Sequence, residues 1–179
     1  MSTKVIYIAG VPASGKSSLI KLVRDNLFAD FKEFKHGLCR GIESADGKYK
    51  MLGVFDGSTF EGTDKLSMAV INDAIRYIKG LQQGKAKTVV FVEGDRLFNH
   101  RFLSETHALL LIIDADEMVL KSRHEGRGDR QTETFLRSRR SKIENFIKKY
   151  KFGRNWNNTL QDQERILTYI LQTAKDYVE

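Results

Sequence analysis

Residues 10–18 read Gly-Val-Pro-Ala-Ser-Gly-Lys-Ser-Ser. Two glycines five positions apart, then a lysine and two hydroxyls, suit one kind of partner: a phosphate chain. Gly10 and Gly15 let the backbone curl so that successive N–H groups face a common centre. Val11, Pro12, Ala13 and Ser14 form the arc between them. A helix beginning at such a loop adds the partial positive charge and unpaired donors of its first turn. Lys16 then reaches the β- and γ-phosphates, Ser17 offers its hydroxyl to Mg²⁺, and Ser18 follows in the same turn. A glycine-rich turn without a ligand would use similar residues. Here, however, the pattern lies between the apolar run Lys4–Ala9 and a helical stretch, the context the phosphate reading requires.

A second group stands at the end of another apolar run, in Val-Val-Phe-Val-Glu-Gly-Asp-Arg, residues 89–96. Ligands of a parallel sheet sit at the carboxyl ends of its strands. One carboxylate there holds the metal shell, and another takes or orients the proton of an acceptor hydroxyl. Glu93 and Asp95 are the candidates, and the sequence leaves their division of duties open. Asp95 joins Ser17 as a candidate metal ligand, and Arg96 is a candidate substrate contact. The competing reading is a solvated turn. A third group is Arg123, Arg127 and Arg130 in Lys-Ser-Arg-His-Glu-Gly-Arg-Gly-Asp-Arg. A planar, permanently charged guanidinium stabilises the negative charge that spreads over a moving phosphoryl group. Gly126 and Gly128 flank Arg127, so a lid over about 123–134 would have hinges.

These groups need a frame. Val5–Ala9, Thr88–Gly94 and Ala108–Ala115 read as buried strands. Helical periodicity appears in Ser17–Phe28, in a stretch from Ser67 that ends near Gly80–Gly84, from Asp116, from about Thr134 to Tyr150, and after Thr159, its expected cap. In the helix that ends at Tyr150, Leu136, Ile143, Phe146, Ile147 and Tyr150 share a face. Residues 33–55 give short, weaker segments around an Ala-Asp-Gly-Lys turn, and Lys151–Trp156 reads as a short edge strand. Strands alternating with helices predict an α/β fold: a parallel sheet with helices on both faces in a three-layer sandwich. The only proline is Pro12, so no proline-rich linker divides the chain, and residues 1–179 read as one domain.

The 179 residues suffice for one core, and no run of about 18 apolar residues predicts a membrane span. Cys39 is the only cysteine, which suits a reducing cytoplasm. The net charge of +7 is concentrated: residues 121–154 hold 12 Lys+Arg against 4 Asp+Glu. Such a local excess attracts phosphates, whether on a nucleotide or along a nucleic acid.

The pattern GxxxxGK[ST] resembles that of the P-loop NTPases, and the strand alternation with an arginine-rich segment looks like their nucleotide and nucleoside kinase branch. No Asn-Lys-x-Asp stretch follows a later strand, as a guanine-specific GTPase would usually offer, and a motor domain generally needs more chain. The resemblance implies ATP and Mg²⁺ as cofactors and a phosphotransferase activity. The acceptor is read from two segments. Residues 52–67 are rich in glycine, hydroxyls and acids, where Asp56, Asp64 and Lys65 are candidate substrate contacts and Asp64 is equally a candidate helix cap. Residues 135–154 carry Arg137, Arg139, Arg140, Lys142, Lys148, Lys149, Lys151 and Arg154, more cations than an ATP lid needs, with Arg137 taken as a further substrate contact. The set Gly-Lys-Ser-Ser, Phe-Asp-Gly-Ser-Thr-Phe-Glu-Gly-Thr-Asp-Lys-Leu-Ser, Phe-Val-Glu-Gly-Asp and the arginine-rich helix looks similar to phage P-loop kinases that phosphorylate 5-hydroxymethyluracil within DNA, a step towards hypermodified thymidines. That resemblance implies DNA as substrate, reached by unstacking the base. A kinase of free deoxynucleosides or deoxynucleoside monophosphates needs the same loop, acid and lid. A non-catalytic nucleotide-dependent DNA-binding module is the third alternative.

Overall fold

The computed structural model describes residues 2–58, 61–126 and 132–179; Arg127 and Arg130 of the expected lid lie outside the described residues. The elements in chain order are β1 (Thr3–Gly10), α1 (Lys16–Leu27), β2 (Phe31–His36), β3 (Cys39–Ser44) and β4 (Tyr49–Leu52). A short 3₁₀ turn (Thr63–Lys65), α2 (Ile71–Gln83), β5 (Thr88–Glu93), α3 (His100–Thr106) and β6 (Leu109–Asp114) follow. The chain closes with α4 (Glu117–Gly126), α5 (Glu133–Tyr150), β7 (Arg154–Trp156) and α6 (Leu160–Val178).

The seven strands form one sheet in the order β2-β3-β4-β5-β1-β6-β7. From β4 to β7 every pairing is parallel, as the alternation of strands and helices predicts. The sheet is mixed, however: β2, β3 and β4 form an antiparallel meander at one edge. The weak segments of 33–55 are these strands. They read weakly because β2 lies at the sheet edge and is mostly exposed, so it carries no apolar run.

The central strands are continuous apolar runs because both faces are covered. Alternate residues of β1 serve opposite layers. Val5 and Tyr7 pack with Ala74 and Ile78 of α2, Phe102 of α3 and Ile143 of α5. Ile6 and Ile8 pack with Leu19 and Val23 of α1 and Ile166 and Ile170 of α6. Thr159 caps α6 as expected, in a reciprocal box: its hydroxyl accepts from the Asp162 amide while the Asp162 carboxylate accepts from the Thr159 amide. In α5 only Ile143 of the expected apolar face is fully buried; Phe146 and Ile147 are partly covered. Phe146 and Tyr150 extend a row of rings that runs from Tyr7 through Phe98. The helix is thus fastened to the turn after β5 along one side. No helix among the described residues is long and apolar enough to cross a membrane.

Candidate active site

Parallel pairing of β1 with β5 and β6 brings three strand ends together, and the loop 10–15 leaves the middle one. Gly10 has φ +154, and a Cβ there would lie 2.0 Å from the Ile113 carbonyl oxygen of β6. Only glycine lets the loop start this close to its neighbour strand. Ala13 takes the left-handed conformation at φ 62, and Gly15 follows at φ 93. Gly15 is also the N-cap of α1 and supplies no side-chain acceptor, so the first amides of that helix are left to another partner. The Lys16 ammonium donates to the Val11 carbonyl at 2.8 Å, bridging the loop. The fit to a polyphosphate rests on these features: a cradle that side chains would fill, an uncapped helix start, and an adjacent lysine and hydroxyl. Val11, Ala13 and Ser14 are buried, Pro12 is half-buried, and Ser17 and Ser18 are exposed.

Glu93 ends β5 opposite Ile8, and its carboxylate is hydrogen-bonded to the Ser17 hydroxyl. Its pKa is pushed up to about 7, foremost by burial. Lys16 opposes the rise, Asp64 adds to it, and the Ser17 bond opposes it. The carboxylate beside the serine is therefore Glu93. Asp95, the other candidate metal ligand, turns to α5, where it pairs with Arg139 and, at 2.8 Å, with Lys142. Mg²⁺ keeps several waters and takes one or two protein ligands in such sites, which is what a serine hydroxyl and a neighbouring carboxylate offer.

Asp64 shapes the Glu93–Arg96 turn. One carboxylate oxygen accepts from the amides of Asp95 and Arg96, both at 3.1 Å. The Arg96 guanidinium returns a bond to the Asp64 carbonyl at 2.7 Å. The Thr63 hydroxyl donates to the Glu93 carbonyl, and the buried Tyr7 hydroxyl donates to the Gly94 carbonyl at 3.0 Å. The turn is clamped from three sides. Asp64 does cap a turn, but one 31 residues away, not a helix next to it in sequence. Asp56 and Lys65 form an ion pair of 2.6 Å at the outer edge of the 52–67 loop.

Lys16, Ser17, Asp64, Glu93 and Asp95 line one cleft of about 580 Å³. Arg96, Arg139 and Lys142 supply its cations, and Phe98, Phe135 and Met68 its apolar patches. A second chamber, about 380 Å³, is lined by Arg24, Leu52, Phe55, Glu61 and Thr63. It shares Ser17 and Glu93 with the first. Arg137 lines neither; it faces a separate cavity against α4. Arg123 of α4 donates to the carbonyls of Ala13 and Asn157. The cleft residues that sequence reasoning did not assign to the site include Phe98, Phe135, Met68, Arg139 and Lys142. The two cations belong to the basic helix that the sequence shows, and their charge is the only signal. Phe98 and Phe135 carry no spacing or motif that marks them.

No curated protein matches the sequence. Among solved structures the chain is similar to a deoxyadenosine kinase from M. mycoides with the products dCMP and a flexible dCDP bound. That similarity has a TM-score of 0.41 at 14% identity, over 94% of this chain and 99% of that one. A family profile described as P-loop Nucleotide Kinase3 matches residues 1–160, which takes in the loop, the strand-end acids, the cationic helix and all seven strands. Matched over most of its length, the chain is a phosphotransferase and belongs to this family of P-loop nucleotide kinases.

Proposed function

We propose that the protein moves the γ-phosphoryl group of ATP to a hydroxyl acceptor held in the 580 Å³ cleft, and that the preferred acceptor is the hydroxymethyl group of 5-hydroxymethyluracil in DNA. The observation that carries the kinase part is the position of Glu93: on the cleft wall, bonded to Ser17, with a pKa near 7. A base works best when its pKa lies near the working pH. Bound Mg²⁺·ATP supplies the phosphoryl group and screens its charge. Gly10–Ser18 hold the phosphates, with Lys16 on the β,γ-oxygens and Ser17 on the metal side. Glu93 takes the acceptor proton. Asp95 sets the positions of Arg139 and Lys142, two cations of the cleft wall. The lid arginines Arg127 and Arg130 belong to the same proposal.

The DNA part is supported by cations outside the cleft. Lys148, Lys149 and Lys151 are exposed at the far end of α5 and its exit. A polymer lying along α5 from the cleft residues Arg139 and Lys142 towards the helix end would meet them, and a free nucleotide in the cleft would not. Arg154 drops out of this set, because Asp114 and Glu144 hold it. The second reading is phosphorylation of a free deoxynucleoside or its monophosphate. It is favoured by the cleft volume, which falls in the range of small-molecule sites.

Radiolabelled ATP offered with hydroxymethyluracil-containing duplex and with a panel of free nucleosides and nucleotides separates the two. Label on the duplex supports the first reading, and label on free compounds alone removes it. Affinity for plain duplex should fall steeply with salt, since phosphate contacts release counterions. Lys16→Ala should abolish turnover with the fold intact; an active variant would show that the loop is not the cradle.

A further inference from the structure

A loop that turns its amides towards an anion must turn carbonyls the other way, and those carbonyls need donors. In this chain three side chains supply them. Lys16 serves Val11, Arg123 serves Ala13 at 3.4 Å, and Asn157 serves Ser14 through its amide nitrogen at 2.8 Å. Asn157 is 1% exposed, and it stands between the end of β7 and α6. Its own amide donates to the Asp114 carbonyl at 2.8 Å, and its carbonyl accepts from Arg123 at 2.9 Å. The peptide bond between Ser14 and Gly15 is trans. Fixing the Ser14 carbonyl therefore fixes the Gly15 N–H in the opposite direction. Gly15 and Asn157 are also matched in shape: a Cβ on Gly15 would sit 2.4 Å from the Asn157 amide nitrogen. The next residue continues the tie. Asn158 accepts from the Asp116 amide at 2.7 Å and donates to its carboxylate at 3.0 Å, at the start of α4.

We infer that Asn157 is a positioning residue for the donor nucleotide: it holds the Ser14 carbonyl outward, sets the Gly15 amide, and with Arg123 joins the loop to α4. Arg123, read from sequence as a phosphate-facing lid residue, acts on the back of the loop as its second anchor. The inference rests on the reading that the loop holds a polyphosphate. It assigns a role to a residue with no motif of its own and 142 positions from the glycine it serves.

Calorimetry with Mg²⁺·ATP on the wild type, Asn157→Ala and Asn157→Asp tests it. Asp keeps the side-chain shape but, when ionised, has no hydrogen to give Ser14. Both variants should weaken binding about tenfold with close to one site per folded chain. A residue that only supported stability would lower the number of sites and leave Kd unchanged, and that result overturns the inference. So does a wild-type Kd in either variant; if Asn157→Ala fails to fold, the aspartate variant decides alone. Arg123→Met combined with Asn157→Ala should weaken binding by less than the product of the single effects, because both act on one loop; a full product removes the joint anchoring. A wild-type protein that binds no nucleotide removes the polyphosphate reading itself and this inference with it.

Discussion

Replacing Glu93 with glutamine tests the electrostatics of the cleft directly. The carboxyl is pushed from its ordinary 4.5 to about 7, chiefly because burial disfavours the charged form. The folded protein therefore binds this proton more tightly than the unfolded chain does. Between pH 4.5 and about 7 the folded state holds more protons, so stability falls as pH rises across that window and levels off above it. At about 1.4 kcal/mol per pH unit the full excursion amounts to ~3 kcal/mol. Glu93 is only partly shielded from solvent, and ~2 kcal/mol is the better working figure. Glutamine has the same shape and does not titrate. Urea denaturation of both proteins at pH 5, 6, 7 and 8 should show Glu93→Gln gaining on the wild type by ~2 kcal/mol over the series. Turnover should move the other way: wild-type kcat/KM rises through pH 7 as the base loses its proton, and the variant is inactive at every pH. Parallel stability curves would refute the buried-carboxylate argument, and an active variant would refute the proton-acceptor role.

Other consequences are local. Gly10→Ala forces a Cβ against the Ile113 carbonyl, and it should cost ~2–4 kcal/mol in denaturant unfolding with nucleotide binding lost. Thr159→Ala removes half of a reciprocal cap and should cost ~1 kcal/mol by the same measure. The Cys39 thiol is fully buried and is pushed up to about 12, chiefly by burial and then by the Asp73 charge. A thiol-specific chromogenic reagent should therefore label native protein slowly and urea-unfolded protein at once; rapid native labelling would contradict the packing around β3.

The parts of this molecule that sequence shows best are those fixed by local rules. The cradle is legible because one short stretch must satisfy glycine geometry, helix start and cation together. Strands β1, β5 and β6 are legible because burial on both faces leaves no room for polar residues. The antiparallel meander is legible only in part: weak strands around the Ala-Asp-Gly-Lys turn can be read but their pairing cannot, since β2 has only one neighbouring strand and little to bury. Helix α3 went unread for a related reason: seven residues of mixed character follow an acidic turn, and its cap, Asn99, gives no strong periodic signal. The acids show the same divide. That Glu93 and Asp95 stand at a strand end follows from spacing. That one turns to Ser17 and the other to Arg139 and Lys142 depends on where α5 packs, and α5 is 40 residues away. Asp64 and Asn157 each serve a backbone turn remote in sequence, and no spacing rule reports such a bond.

Ser17 and Glu93 line two chambers of unequal size at once. An uncharged occupant of either chamber dehydrates the same carboxyl group and favours its protonated form, whereas a bound cation favours the carboxylate. Filling one side thus changes the charge that the other side meets, with no backbone movement needed to carry the message. Such coupling is reciprocal: if a molecule in the smaller chamber alters affinity in the larger one, a molecule in the larger chamber alters affinity in the smaller by an equal factor.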